Sequence, residues 1–330
     1  MESDRLTVNC NPTAKSLPFH AGLRLGLFRA RGIDLTLMST ADSRGQRDGL
    51  LRGDFQIVHV AVDNAVHMKD VEGLDVVVIM GGDSGMNELF VQPHIRTIED
   101  LRGGRLVCDA PDTAFALQAY RILGDRGLER DRDYTVVSVG RGEFRLDAMI
   151  NDKANTAAVL NLPYSLQARR LGLRSLGDTT TFVGPYQAGS AFVMRPWAEA
   201  HRDLVVRYVA AYLECLDWVL APANHDACVG ILEEELKLPR DIAAESVELL
   251  RQPGFGFEPD AAIDLAGFRN TLALRTMVEG TSQGADPQRY LDLSYHAAAM
   301  RLVRAPSPAQ TAGARSDSKP EARLVPWTKD

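Results

Sequence analysis

A chain of 330 residues that is 45% hydrophobic and 25% charged has the make-up of a globular protein, and it is too long for one ordinary core, so two lobes are expected. A formal charge of −7 argues against a nucleic-acid surface, which needs a basic patch. No run approaches the ~20 apolar residues of a membrane span, so membrane insertion is not expected either.

The first lobe begins at once. Leu6 to Val8 is a short strand that ends in Asn9, Cys10, Asn11 and Pro12. A helix is predicted from about Ser16 to Arg31, with Leu17, Leu23 and Leu27 among its buried positions. Ile33 to Met38 alternates apolar and polar residues and reads as a second strand. Thr40, Ala41 and Asp42 then lead into a helix that ends near Gly53. Phe55 to Val60 is a third strand, with Asp63 and Asn64 opening the helix behind it. Leu74 to Met80 is nearly continuous apolar sequence, a strand buried on both faces. Residues 81–85, rich in Gly and including Asp83 and Ser84, turn the chain toward a crossing strand at Asn87 to Val91.

The second lobe is built around Thr97 to Gly140, which reads as strand, turn, helix, strand. Phe115, Ala119, Ile122 and Leu123 lie on one stripe of a 3.6-residue period, between strand-length runs at 105–109 and 134–139. This places the loop Asp109 to Thr113 at the carboxyl edge of a parallel sheet, where open α/β sheets bind ligands. Arg141, Gly142, Glu143 and Phe144 open a helix to about Asp152, followed by a strand at 156–160. Asn161 to Tyr164 starts the next helix, with Pro163 in its first turn. The chain returns to lobe one through Ser190 to Met194. Helices are predicted at 196–220, 226–237, 241–252, 261–280 and 287–303. Lobe one thus comprises 1–93 plus 191–303 and lobe two 94–190. Residues 304–330 lack apolar periodicity and read as a disordered tail.

Several segments in this order resemble a known family. Gly26-Leu27-Phe28 through Gly32-Ile33-Asp34-Leu35, then Arg52 to Ile57, then Thr97 to Leu106 are similar to the periplasmic-type solute-binding proteins typified by sulfonate, nitrate and thiamine-pyrimidine-precursor binders. The resemblance spans roughly residues 6 to 300. It implies an α/β, two-lobed periplasmic-binding-protein type II fold that closes by hinge motion on a small organic ligand and delivers it to an ABC permease. Met1 to Arg5 shows neither the basic nor the apolar segment of a secretory signal. As written, the chain is expected in the cytoplasm, or in the periplasm if an export leader has been removed.

The cleft implied by such a fold is lined by loops at the strand ends. From lobe one these offer Asn9, Cys10, Asn11, Thr40, Asp42, Asp63, Asn64 and Ser84; from lobe two, Asp109, Asp112, Thr113, Arg141, Glu143, Asn161, Tyr164 and Tyr186. Small polar residues at helix starts serve equally as N-caps, so ligand contact and capping both stand for each. Arg141 is the candidate partner for a carboxylate, sulfonate or phosphate, against an ordinary exposed arginine. Tyr164, Tyr186 and Phe144 either stack on a flat ligand or simply pack.

Four cysteines, Cys10, Cys108, Cys215 and Cys228, lack metal-ligand spacing, and seven scattered histidines form no HExxH motif, so no metal and no cofactor is expected. Cys10 sits in what reads as an exposed turn before a helix, a setting that favours a thiolate. That turn resembles the one in the aromatic sulfinate desulfinase, a lyase on the same scaffold, whose cysteine maps onto Cys10. The accompanying histidine would fall near 43–46, where this chain has none. Binding of a solute and lyase chemistry at Cys10 therefore both remain open, as do core and base roles for His59 and His67.

Overall fold

The computed structural model describes residues 3–279 and 286–304. Among the described residues, ten strands form two five-stranded sheets. The strands are β1 (Asp4–Cys10), β2 (Ile33–Met38), β3 (Ile57–Ala61), β4 (Val76–Met80), β5 (Glu88–Val91), β6 (Arg105–Cys108), β7 (Thr135–Ser138), β8 (Asn155–Leu160), β9 (Arg174–Asp178) and β10 (Gly189–Met194). The helices are α1 (Leu17–Leu25), α2 (Leu27–Ala30), α3 (Ser43–Arg52), α4 (Asp63–Asp70), α5 (Ala114–Gly124), α6 (Gly142–Asn151), α7 (Tyr164–Arg170) and α8 (Thr180–Val183). They continue with α9 (Arg195–Ala200), α10 (Arg202–Leu220), α11 (His225–Leu236), α12 (Arg240–Leu250), α13 (Leu265–Glu279) and α14 (Ser294–Arg304).

The sheets share one plan. Lobe one runs β2-β1-β3-β10-β4 and lobe two β7-β6-β8-β5-β9. In each, four strands run in one direction and the fourth in order is the antiparallel strand that arrives from the other lobe. All five residues of β4 are buried, and Val76 to Ile79 alternate between two cores. Val77 and Ile79 join the core under α1, α10 and α12, while Val76 and Val78 join the one with Phe192 and Phe268. A strand covered on both faces reads as an unbroken apolar run for this reason. Lobe two is also packed on both sides, by α5 residues such as Leu117 and Ile122, and by Leu146 and Met149 of α6.

Several expectations need correction. The boundary at residue 93 is too late: β5 pairs antiparallel with β8 and β9, so lobe two begins before Glu88. The single helix expected from Ser16 to Arg31 is broken at Gly26, whose φ of 70° caps α1, and Leu23 is 40% exposed. The helix expected from 196 to 220 is interrupted at His201, and β9 with α8 was not anticipated at all. The tail beyond Arg304, and the last residue of the helix expected to 280, lie outside the described residues.

Candidate functional site

The carboxyl ends of the parallel strands in both sheets face one another across a cleft. It offers about 80 Å³ to water centres, several times what a single water requires. Of the residues expected there, Cys10, Asn11, Asp42, Asn64, Asp109, Arg141, Asn161 and Tyr164 do line it. Asn9, Thr40, Asp63, Ser84, Asp112, Thr113, Glu143 and Tyr186 are not among the lining residues, and the hydrogen bonds explain why. Asn9 is fully buried, with Nδ2 donating to Met38 O at 3.2 Å. Thr40 Oγ1 donates to Asp42 O at 3.0 Å and Ser84 Oγ to Phe255 O at 3.4 Å. Tyr186 OH donates to Asp63 Oδ2 at 2.7 Å, and Arg275 Nη1 lies 3.3 Å from Asp63 Oδ1. Asp112 Oδ2 accepts from Arg47 Nη2 at 2.9 Å, and Thr113 Oγ1 bonds Asp109 and Ala110 O. These groups hold the loops and helices that carry the wall rather than forming it.

The lining residues sit where local structure puts them. Asp42 is the N-cap of α3, accepting from Gly45 N at 2.8 Å, so its capping role is present together with its place in the cleft. Gln46 Nε2 donates to Asn11 Oδ1 at 3.0 Å, and Asn64 Nδ2 to Gln46 Oε1 at 3.1 Å, so Gln46 ties two cleft loops together. Gly142 at the start of α6 is needed for a close approach: a Cβ there would lie 2.5 Å from the Tyr164 ring.

Arg141 is already engaged. Its Nε donates to Glu143 Oε1 at 2.8 Å and its Nη1 to Thr40 O at 3.2 Å, while its backbone N–H reaches Ala41 O at 3.2 Å. Tyr164 OH lies 3.3 Å from Pro12 O, and Ser43 Oγ donates to Asp109 Oδ2 at 3.0 Å. Apart from the Arg141–Glu143 pair, each of these contacts joins one lobe to the other, so the cleft is closed at its mouth.

The arginine that sequence reasoning missed is Arg145, one turn further into α6. It lines the cleft at 1% exposure, its guanidinium lies 3.8 Å over the Phe115 ring, and among the described residues its Nε and Nη1 have no hydrogen-bond partner. Burial lowers its affinity for a proton and Asp109 opposes that shift, but a guanidinium stays charged in either case. The signal was in the sequence: Arg145 falls on the buried stripe of α6 with Gly142, Leu146 and Met149, a place where a charge needs a reason. Lys15, Asp83, Phe115 and Tyr212 were missed as well, and His59, with its core and base roles both open, also lines the cleft. Lys15 Nζ bonds Asp83 Oδ1 at 2.9 Å, and Gly85 N donates to the same oxygen at 2.7 Å.

Cys10 is corrected in kind. It is the last residue of β1, 7% exposed and part of the lobe-one core, not an exposed turn. Burial pushes its thiol up to about 12, the opposite of the thiolate-favouring setting expected. His59 is its register partner on β3 and lies against Phe19 and Tyr212, and burial brings its imidazole down to about 4.

A sequence model of a family described as NMT1/THI5 like matches residues 13–224. The chain belongs to that family. No curated protein matches it in sequence. Among solved structures, the nitrate-binding protein NrtA of Synechocystis PCC 6803 is similar with a TM-score of 0.72 at 12% identity, over 92% of this chain and 90% of that one. The alkanesulfonate-binding protein SsuA of Xanthomonas axonopodis pv. citri, bound to MOPS, gives 0.70 at 16% identity over 88% and 97%. The desulfurization enzyme DSZB gives 0.62 at 15% identity over 91% and 100%. The two-lobed periplasmic-binding-protein fold expected from the resemblance is the fold of this family member. Among the described residues, no helix is long and apolar enough to cross a membrane.

Proposed function

We propose that this chain is a solute-binding protein that closes its two lobes on a small organic anion with a flat or apolar body, for delivery to an ABC permease. The observation that carries this reading is Arg145, a buried cation in the cleft with two nitrogens lacking partners. A buried, unpaired charge costs several kcal/mol, and an oxyanion that accepts hydrogen bonds from the guanidinium offsets that cost. Phe115, Tyr164 and Tyr212 supply the apolar walls. The sulfonate- and nitrate-binding relatives support an anionic class, and the permease and a periplasmic location are read from the same kinship.

A lyase using Cys10 is the second reading, favoured by the register pairing of Cys10 with His59 and by the fold shared with DSZB. The energetics weigh against it. Burial raises the thiol to about 12 and lowers the imidazole to about 4, so proton transfer from Cys10 to His59 runs against both shifts. Native mass spectrometry of the protein with a panel of small sulfonates and carboxylates decides between the two. A stoichiometric, chemically unchanged ligand supports binding, and turnover of that ligand rules it out.

A further inference from the structure

Six charged side chains line the cleft: Lys15, Arg141 and Arg145 against Asp42, Asp83 and Asp109. Lys15 is paired with Asp83, Arg141 is tied to Glu143 outside the lining, and Asp42 caps α3. Arg145 and Asp109 remain, and they do not hydrogen-bond each other: two Arg145 nitrogens are unpartnered and its guanidinium lies on Phe115 instead. Were Asp109 ionised, a free guanidinium in the same cleft would be its natural partner.

The hydroxyl count explains this. Thr113 Oγ1 is in hydrogen-bond contact with both Asp109 Oδ1 and Ala110 O, the latter at 2.9 Å. It has one hydrogen, and the carbonyl can only accept. Both contacts are satisfied when Thr113 donates to Ala110 O and Asp109 donates to Thr113. Ser43 Oγ, at 3.0 Å from Asp109 Oδ2, donates in the same arrangement.

We propose that Asp109 holds a proton in the folded protein, leaving the Arg145 guanidinium with no carboxylate hydrogen-bonded to it, so that the site selects monoanions and rejects dianions. This rests on the anion-binding reading above and deepens it. Burial also favours the neutral carboxyl, the largest effect, while Arg145 and hydrogen bonds from Thr113, the Ala110 amide and Ser43 act in the opposite direction. The groups around Asp109 do not replace its role. Cys108 beside it is a buried thiol pushed up to about 12, Asp112 is bound to Arg47, and Tyr164 on α7 is held neutral by burial. Arg141 and Glu143 at the start of α6 neutralise each other, and Asp42 of the α3 cap is fixed on the Gly45 amide.

The test has two arms. In the ligand-free protein, the infrared difference spectrum of wild type minus Asp109→Asn should show the carbonyl band of a protonated carboxyl at pH 7. Its absence overturns the protonation. In the second arm, methanesulfonate and sulfate are titrated calorimetrically, being close in shape but carrying one and two charges. Methanesulfonate should bind at least tenfold more tightly to wild type, and Asp109→Asn should keep that preference while losing any weakening of affinity at alkaline pH. Equal or tighter sulfate binding overturns the proposal. Binding of neither anion overturns the functional reading and the monoanion preference with it, while the infrared band still decides the proton by itself.

Discussion

Arg145 concentrates the conflict between stability and binding in one side chain. Replacing it with Met keeps the stem against Phe115 and removes the unpaired charge. The ligand-free variant should therefore unfold at higher denaturant, gaining about 1–4 kcal/mol, while anion affinity falls at least a hundredfold. Chemical denaturation and calorimetry measure the two effects, and a variant both weaker in binding and less stable would mean that Arg145 is structural. His59 gives a pH signature. Its folded form resists protonation down to about 4, whereas the unfolded imidazole protonates near the usual 6.5. Its contribution is thus fully present above 6.5 and lost as pH falls toward 4, by about 3 kcal/mol, and His59→Gln should lack that loss in denaturation curves. Asp109 has the opposite sign: its folded form holds the proton more tightly, so stability is present at acid pH and declines as pH rises through its folded titration. Residue by residue, the sequence located loop tips well and side-chain directions poorly. Asp42, Asn64 and Tyr164 reach the cleft, whereas Asp63, Asp112 and Tyr186, from the same kinds of position, turn to partners on other elements. Which way a loop side chain points depends on contacts distant in sequence, such as Asp63 with Arg275, and local pattern does not contain them.

Among the elements, the pair α1 and α10 shows how closely this chain packs. Gly22 lies where a Cβ would stand 2.2 Å from Cys215 Sγ and 2.7 Å from the Phe28 ring. Its backbone is helical, so Gly22→Ala introduces crowding alone and should cost about 1–3 kcal/mol in spite of alanine's better helix propensity. A more stable variant in thermal unfolding would show that α10 can shift away. Strands with a clear period were legible, β2 to the residue and β4 within two. β9 was not: Arg174–Asp178 has only Leu176 as a large apolar residue, and its strand identity comes from pairing with β5. The break at Gly26 was hidden because apolar residues continue on both sides of it.

Across the whole molecule, the two-lobe plan followed from length and from the order of strand and helix patterns, while the exact crossing points did not. β5 and β10 look like any strand in sequence, and only their partners assign them to a sheet. At the mouth of the cleft the lobes are joined by Arg141 to Thr40 and Ala41, Ser43 to Asp109, Tyr164 to Pro12, and Arg170 to Asp241. Arg141→Ala removes one of these and leaves Arg145 in place. It should release ligand about tenfold faster, equivalent to about 1.4 kcal/mol, and the ligand-free protein should show a larger radius of gyration in X-ray scattering. An unchanged release rate would assign closure to the other contacts.

On another side, α13 belongs to both halves: Phe268 and Leu272 sit in a lobe-one core and Leu274 in a lobe-two core. Each such side chain is worth about 1.5–3 kcal/mol buried, against about 1 kcal/mol net for a hydrogen bond that water can replace. The molecule therefore behaves as a book bound along α13. Opening at the polar edge would leave a solute one side from which to arrive and leave.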